Sequence, residues 1–138
     1  MLARETYVYD LYEQMGDAAE TIERFHTRLD VRAWPARLAA RVHVEPIVSG
    51  DRDLDPAAIE GLHARFGANV GDWESAAIAY VAAANRTPAL ILRGVSDVVD
   101  PRAGDPTYAN DGAWERAAAQ TMTALLALLA EAAPELAR

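Results

Sequence analysis

The sequence predicts an α/β fold, a mostly parallel sheet with helices on its faces. Two observations carry this. Segments of strand character alternate with segments of helical character, in the order strand, helices, strand, helix, strand, helix, strand, helix. One of the strand runs, Pro88-Ala89-Leu90-Ile91-Leu92, is continuously apolar, the signature of a strand buried on both faces. A third observation concerns function. Glu74 opens the helix before that strand, and Asp97 stands just beyond the strand's end. Ligands of open α/β sheets bind outside the carboxyl ends of the strands, so both carboxylates are expected at one crevice.

The elements follow in order. Thr6-Tyr7-Val8-Tyr9 is β-branched and aromatic and reads as a strand. Asp17-Ala18-Ala19-Glu20 resembles a capping box and opens a helix through about Arg28. Trp34-Pro35 allows a second short helix, with Pro35 in its first turn, ending near Arg41. Val42 to Val48 is a strand that Pro46 weakens or assigns to an edge or bulge. It ends at Ser49-Gly50-Asp51, a turn whose backbone a ligand can approach. Asp55 caps a further helix with Pro56 at its first position, running to about Arg65 and closed by Gly67. Asn69 to Trp73 is a short strand leading into the helix that holds Tyr80-Val81-Ala82-Ala83-Ala84. After Asp97, the stretch from Asp100 to Pro106 is dense in turn residues. Asp111 is the expected cap of a last helix, Ala113 to Ala132, with Trp114, Ala118, Met122, Leu125, Leu126 and Leu129 at helical spacing.

Length and composition set bounds on the whole. A chain of 138 residues, 51% hydrophobic and 25% charged, supports a single domain over residues 1–138 with a sizeable core. The net charge of -8 argues against nucleic acid and anionic membranes as partners. With no cysteine, neither a disulfide framework nor a thiolate metal site is available. His26, His43 and His63 lack metal-ligand spacing and read as surface or packing residues. No signal peptide and no run of membrane-spanning length is apparent, so a cytoplasmic location is expected.

The chemistry of the central residues reads two ways. A carboxylate's two oxygens are spaced to accept hydrogen bonds from a vicinal diol such as that of ribose. An aspartate in a partly desolvated pocket holds its proton more readily and can serve as a general acid. Together they suit cleavage of an N-glycosidic bond, the acid relieving charge on the departing base while the clamp holds an oxocarbenium-like sugar. The alternative is plain architecture. Glu74 is then a first-turn acid complementing the helix dipole, and Asp97 an ordinary turn residue. Arg93 reads as a salt-bridge partner, and Trp73 as core or pocket wall.

Three blocks, Ile47-Val48-Ser49-Gly50-Asp51, Gly71 to Ala79 and Arg93 to Asp100, resemble the purine nucleoside phosphorylase family that includes 5'-methylthioadenosine/S-adenosylhomocysteine nucleosidase. The resemblance covers Val42 to the C-terminus, and the first forty residues weakly. It implies a partial three-layer α/β sandwich with a mixed, mostly parallel sheet whose N-terminal strands are missing, the chain starting in mid-sheet. It implies that Glu74 binds the ribose diol and that Trp73 replaces a methionine packed on the sugar. Asp97 takes the place of the acid at purine N7, with Ser96 as its neighbour near the base. Asp53 and Leu54 line the base pocket, Asp53 standing where the family carries an aromatic. Tyr108 or Trp114 is placed at the 5' pocket.

The family's glycine-rich anion loop and water-activating glutamate have no counterpart in this sequence, and no cofactor or metal is implied. The expected ligand is a purine nucleoside, and the expected partners are further copies of the chain or a complementary N-terminal half. Three functions follow: an N-glycosidase completed by another half, a nucleoside-binding module without chemistry, or an associating half-domain. Hydrolysis and phosphorolysis are not separated by these residues.

Overall fold

The computed structural model describes residues 1–12, 15–100, 102 and 112–137. Strand β1 (Leu2–Val8) leads to helix α1 (Ala18–Arg24) and the two-residue strand β2 (Thr27–Arg28). Two 3-10 turns, Val31–Ala33 and Ala36–Arg41, precede β3 (Val44–Ser49). The 3-10 turn Pro56–Ala58 runs into α2 (Ile59–Phe66), followed by β4 (Val70–Asp72), α3 (Ser75–Ala84) and α4 (Ala113–Leu136).

The local signals for helix ends act as the sequence suggests. Asp17 accepts from the Ala19 amide at 2.8 Å, and Asp55 accepts from Ala57 at 2.9 Å. Gly67 closes α2 in the left-handed region at φ 63°. Asp30 caps the first 3-10 turn and also pairs with Arg32, which holds its carboxyl at about 2, well below the ordinary 3.8. Asp111 and Tyr108 lie outside the described residues.

The sheet order is β2-β1-β3-β4, with β1, β3 and β4 parallel and β2 antiparallel on the edge. The alternating pleat of β1 sends successive side chains to opposite faces. Leu2 packs with Trp34, Leu38, Leu128 and Ala132, while Ala3 packs with Ile47, Ala79 and Ile91. Helix α3 therefore covers one face, and α4 with the 3-10 turns covers the other. This is the α/β sandwich expected, with a mixed and mostly parallel sheet.

Besides β1 beginning at Leu2 and ending at Val8 where the sequence suggests Thr6 to Tyr9, four local features differ from the sequence reading. First, α1 stops at Arg24, short of Arg28. His26 instead stacks on Tyr7 at 4.3 Å and bonds Glu5 at 3.1 Å, and Thr27–Arg28 pair with β1. Second, Trp34 to Arg41 forms two 3-10 turns with Pro35 as a cap, not an α-helix.

Third, Pro88 to Leu92 is extended but is no strand buried on both faces. Only Ile91 of the five is buried, and Leu2 and Leu92 make a single antiparallel bridge. The reason lies in β1, whose one edge is filled by β3. Its other edge is shared between the 91–93 segment, where Ala3 bonds Ile91 and Arg93 bonds Met1, and β2 further along.

Fourth, α4 continues past Ala132 to Leu136, with Pro134 in its last turn. Arg37 bonds the Glu131 carbonyl and the Glu135 carboxylate, each at 2.6 Å, and fastens that turn. Of the periodic apolar residues on α4, Met122, Leu126 and Leu129 are exposed, and Leu128 and Ala132 are buried instead. Among the described residues, no helix is long and apolar enough to cross a membrane.

The Tyr7 cluster is expected to make the fold sensitive to alkali. Burial, then the charge of Glu5, raises the Tyr7 hydroxyl above its usual 10, and that hydroxyl donates to Glu5 at 3.2 Å. A folded value above the unfolded one contributes stability that is complete below pH 10 and is lost as pH rises through the folded value. Alkaline unfolding followed by circular dichroism is expected to shift to higher pH in Tyr7→Phe. An unchanged alkaline limb in that variant would rule out the Tyr7 contribution.

Candidate functional site

β3 and β4 end level with each other. Ser49 and Asp72 are register partners in the parallel pair, and each is the last residue of its strand. Both side chains turn toward the start of α3. Asp72 Oδ1 accepts from the Ser49 hydroxyl at 2.6 Å and from the Ser75 amide at 3.1 Å. Ser49 Oγ in turn accepts from the Ala76 amide at 2.9 Å. The first amides of a helix lack partners within it, and here Asp72 and Ser49 supply them from outside.

That arrangement releases Glu74. It occupies the cap position of α3 yet makes no side-chain cap bond. Its Oε2 instead accepts from Arg93 Nη2 at 2.7 Å, and its side chain remains 55% exposed. Arg93 also reaches Asp72 Oδ2 with Nε at 2.8 Å and the Ser75 hydroxyl at 2.9 Å. The planar guanidinium is suited to such a two-pronged grip. Arg93 is thus the salt-bridge partner the sequence suggests, bridging two carboxylates at once.

The remaining predicted residues are arranged around this network. Trp73 is exposed, its indole N–H donating to the Arg52 carbonyl at 3.2 Å. The Tyr9 hydroxyl donates to the same oxygen at 3.5 Å. Gly50 does not present open backbone to a ligand, because the Tyr9 ring lies over it. A Cβ at Gly50 would stand 2.6 Å from two ring carbons. Asp53 is exposed, and Leu54 is half-buried in a cleft of about 420 Å³ with Val48, Ile59, Leu62, Val70 and Val99. A larger groove of about 570 Å³ runs along Ala77, Ile78 and Val81 on the outer side of α3 and holds none of the predicted residues.

Ser96 donates its hydroxyl to Asp97, and both are half-buried. No hydrogen bond or ion pair among the described residues joins Asp97 to Glu74. They are connected through Arg93, which holds Glu74 and lies four residues before Asp97 in the sequence. The backbone of Arg93 pairs with Met1, at the amino end of β1, and only its side chain reaches the ends of β3 and β4. The route to Asp97 therefore runs antiparallel to β1, where the sequence suggests a parallel strand. Helix α4 borders the same route. Thr121 donates to the Val95 carbonyl at 3.1 Å, and a Cβ on Gly94 would fall 2.1 Å from the Thr121 methyl carbon. Trp114 is exposed in the first turn of α4.

Comparison with known proteins adds the family. The family model described as the phosphorylase superfamily matches residues 10–131. The chain belongs to the phosphorylase superfamily. Among solved structures it is similar to Arabidopsis thaliana 5'-methylthioadenosine nucleosidase in its apo form, with a TM-score of 0.63 and 20% identity. That likeness covers 98% of this chain and 51% of the nucleosidase, so the chain spans about half that protein's length. No curated protein matches it.

In this superfamily member, the support behind the site that sequence reasoning missed is the brace of Asp72, Ser49 and Ser75, with Ser49 serving the start of α3. A local signal for it exists. Asp72 stands three residues before Ser75, the spacing at which an acidic side chain caps a helix. The sequence reading gives the start of that helix to Glu74, as an acid on its dipole, and passes over Asp72.

Proposed function

We propose that the chain carries the ribose- and base-binding half of a site that cleaves the N-glycosidic bond of purine nucleosides, in the manner of a 5'-methylthioadenosine/S-adenosylhomocysteine nucleosidase. The observation that carries this reading is the state of Glu74. Its carboxylate is free of the helix cap, anchored on one oxygen by Arg93 and open to solvent. Such a group is prepared to accept the two hydroxyls of a ribose. Membership of the phosphorylase superfamily supplies the chemical context.

In this reading Trp73 packs against the sugar, and Leu54 and Asp53 border the base beside Ser96. Asp97 delivers a proton to purine N7 as the bond from sugar to base breaks, the electron pair leaving with the base. The residues that activate water or bind phosphate come from outside this chain. The second reading is a module that binds nucleoside or associates without cleaving, which the apolar side chains exposed on α3 and α4 favour.

Two measurements test the proposal. Purified chain incubated with a purine nucleoside, with and without phosphate, is expected to release little or no free base. Robust turnover would show that the chemistry needs no second half. Association is part of the proposal as well, with a second copy or a complementary half. Apolar side chains exposed on α3 (Ile78 and Val81) and, on the other face of the sheet, on α4 (Met122 and Leu126) support it. Sedimentation at micromolar concentration is expected to show an assembly larger than 14.9 kDa. A compact monomer there would remove this part of the reading.

A further inference from the structure

We propose that Asp72 is the positioning residue of the ribose site, setting the Glu74 carboxylate through Arg93 without touching the sugar. The inference rests on the proposed function for its ligand, and on hydrogen-bond geometry for its mechanism. An exposed glutamate has several rotamers of similar energy, and holding one costs side-chain entropy at the moment of binding. A group fixed beforehand avoids that cost. Glu74 is fixed by one contact, Arg93 Nη2 at 2.7 Å. Arg93 is itself a long side chain and needs its own restraint.

Asp72 supplies that restraint. Its side chain is only 12% exposed, and its two oxygens do different work. Oδ1 takes the Ser49 hydroxyl and the Ser75 amide, so it holds the start of α3. Oδ2 forms an ion pair with Arg93 and takes the Ser75 hydroxyl, whose oxygen accepts the Arg93 Nε–H at 2.9 Å, so it holds the guanidinium both by charge and through Ser75. One carboxylate therefore ties the backbone of Glu74's helix and the side chain of Glu74's partner into a single unit. Charge-assisted bonds of this kind are the stronger ones.

The two roles can be separated by substitution. In Asp72→Asn the amide oxygen can still serve Ser49 and the Ser75 amide. The amide nitrogen then faces the guanidinium without a charge to pair with it, and the Arg93 ion pair is lost. Ser49→Ala does the opposite, weakening the start of α3 while leaving Arg93 on Asp72. The readouts are the carboxyl ¹³C resonance of Glu74 by NMR and the binding of adenosine against 2'-deoxyadenosine.

Asp72→Asn is expected to move the Glu74 resonance toward that of a free glutamate and to lower the preference for ribose about tenfold. Ser49→Ala is expected to melt at lower temperature with the Glu74 resonance and the preference kept. A Glu74 resonance unmoved in Asp72→Asn would overturn the proposal, as would equal effects of the two variants on it. If the unmodified chain binds neither nucleoside, the proposed function fails, and the Glu74 resonance still decides the role of Asp72.

Discussion

Arg93→Met is expected to destabilise the chain by about 2 kcal/mol, the largest stability effect at the site. Removing one member of a buried ion pair typically costs about 3–5 kcal/mol, because the other charge is left without its partner. Here the Asp72 side chain is 12% exposed and that of Arg93 31%, so water softens the loss. The Ser49 and Ser75 donors also remain on Asp72 and reduce it further. For a domain of this size, about 2 kcal/mol corresponds to roughly 6 °C in the melting midpoint. Arg93→Lys should recover part of this, since an ammonium keeps the charge but cannot fork to both carboxylates. Thermal melts of the three proteins check the order. A lysine variant no better than methionine would mean that charge contributes nothing there.

Glu74→Gln is expected to behave in the opposite way, with little change in stability and a large change in ligand binding. Its pair with Arg93 lies at a side chain 55% exposed, where an ion pair contributes about 0–1 kcal/mol. The cap of α3 does not involve it, so the helix keeps its start. Binding is another matter. Glutamine accepts through one oxygen and places a donor where the second hydroxyl should donate. Loss of a charge-assisted bond to the diol is expected to weaken a ribonucleoside about tenfold or more. A 2',3'-dideoxynucleoside, which has no diol, should bind both proteins equally. Calorimetric titration of the two ligands against the two proteins tests this. Equal weakening for both ligands would remove Glu74 from the ribose contact.

The contrast between these two substitutions follows from burial, which the sequence does not report. Both residues are charged and stand at the edges of secondary-structure elements. Only the folded chain shows that Arg93 supports a largely buried carboxylate while Glu74 projects into solvent.

What the sequence determined by itself lies within a few residues of each signal. Asp17, Asp55 and Gly67 end their helices as their side chains and backbone freedom dictate, because a cap bond spans two or three residues. The strands at Val44–Ser49 and Val70–Asp72, the helices between them and the α/β class were legible in the same way. Tertiary structure decided the rest. Thr27–Arg28 became a strand because Glu5–Thr6 offered an edge, and Pro88 to Leu92 did not, because that edge was already divided. Leu128 and Ala132 were buried ahead of Leu126 and Leu129 because Leu2, Trp34 and Leu38 fixed which side of α4 meets the sheet. Asp72 took the cap from Glu74 because Ser49 and Arg93 converge on it from other parts of the chain. Each of these outcomes depends on partners distant in sequence, whose competition for one hydrogen-bonding edge or one apolar face is settled only when the chain has closed on itself.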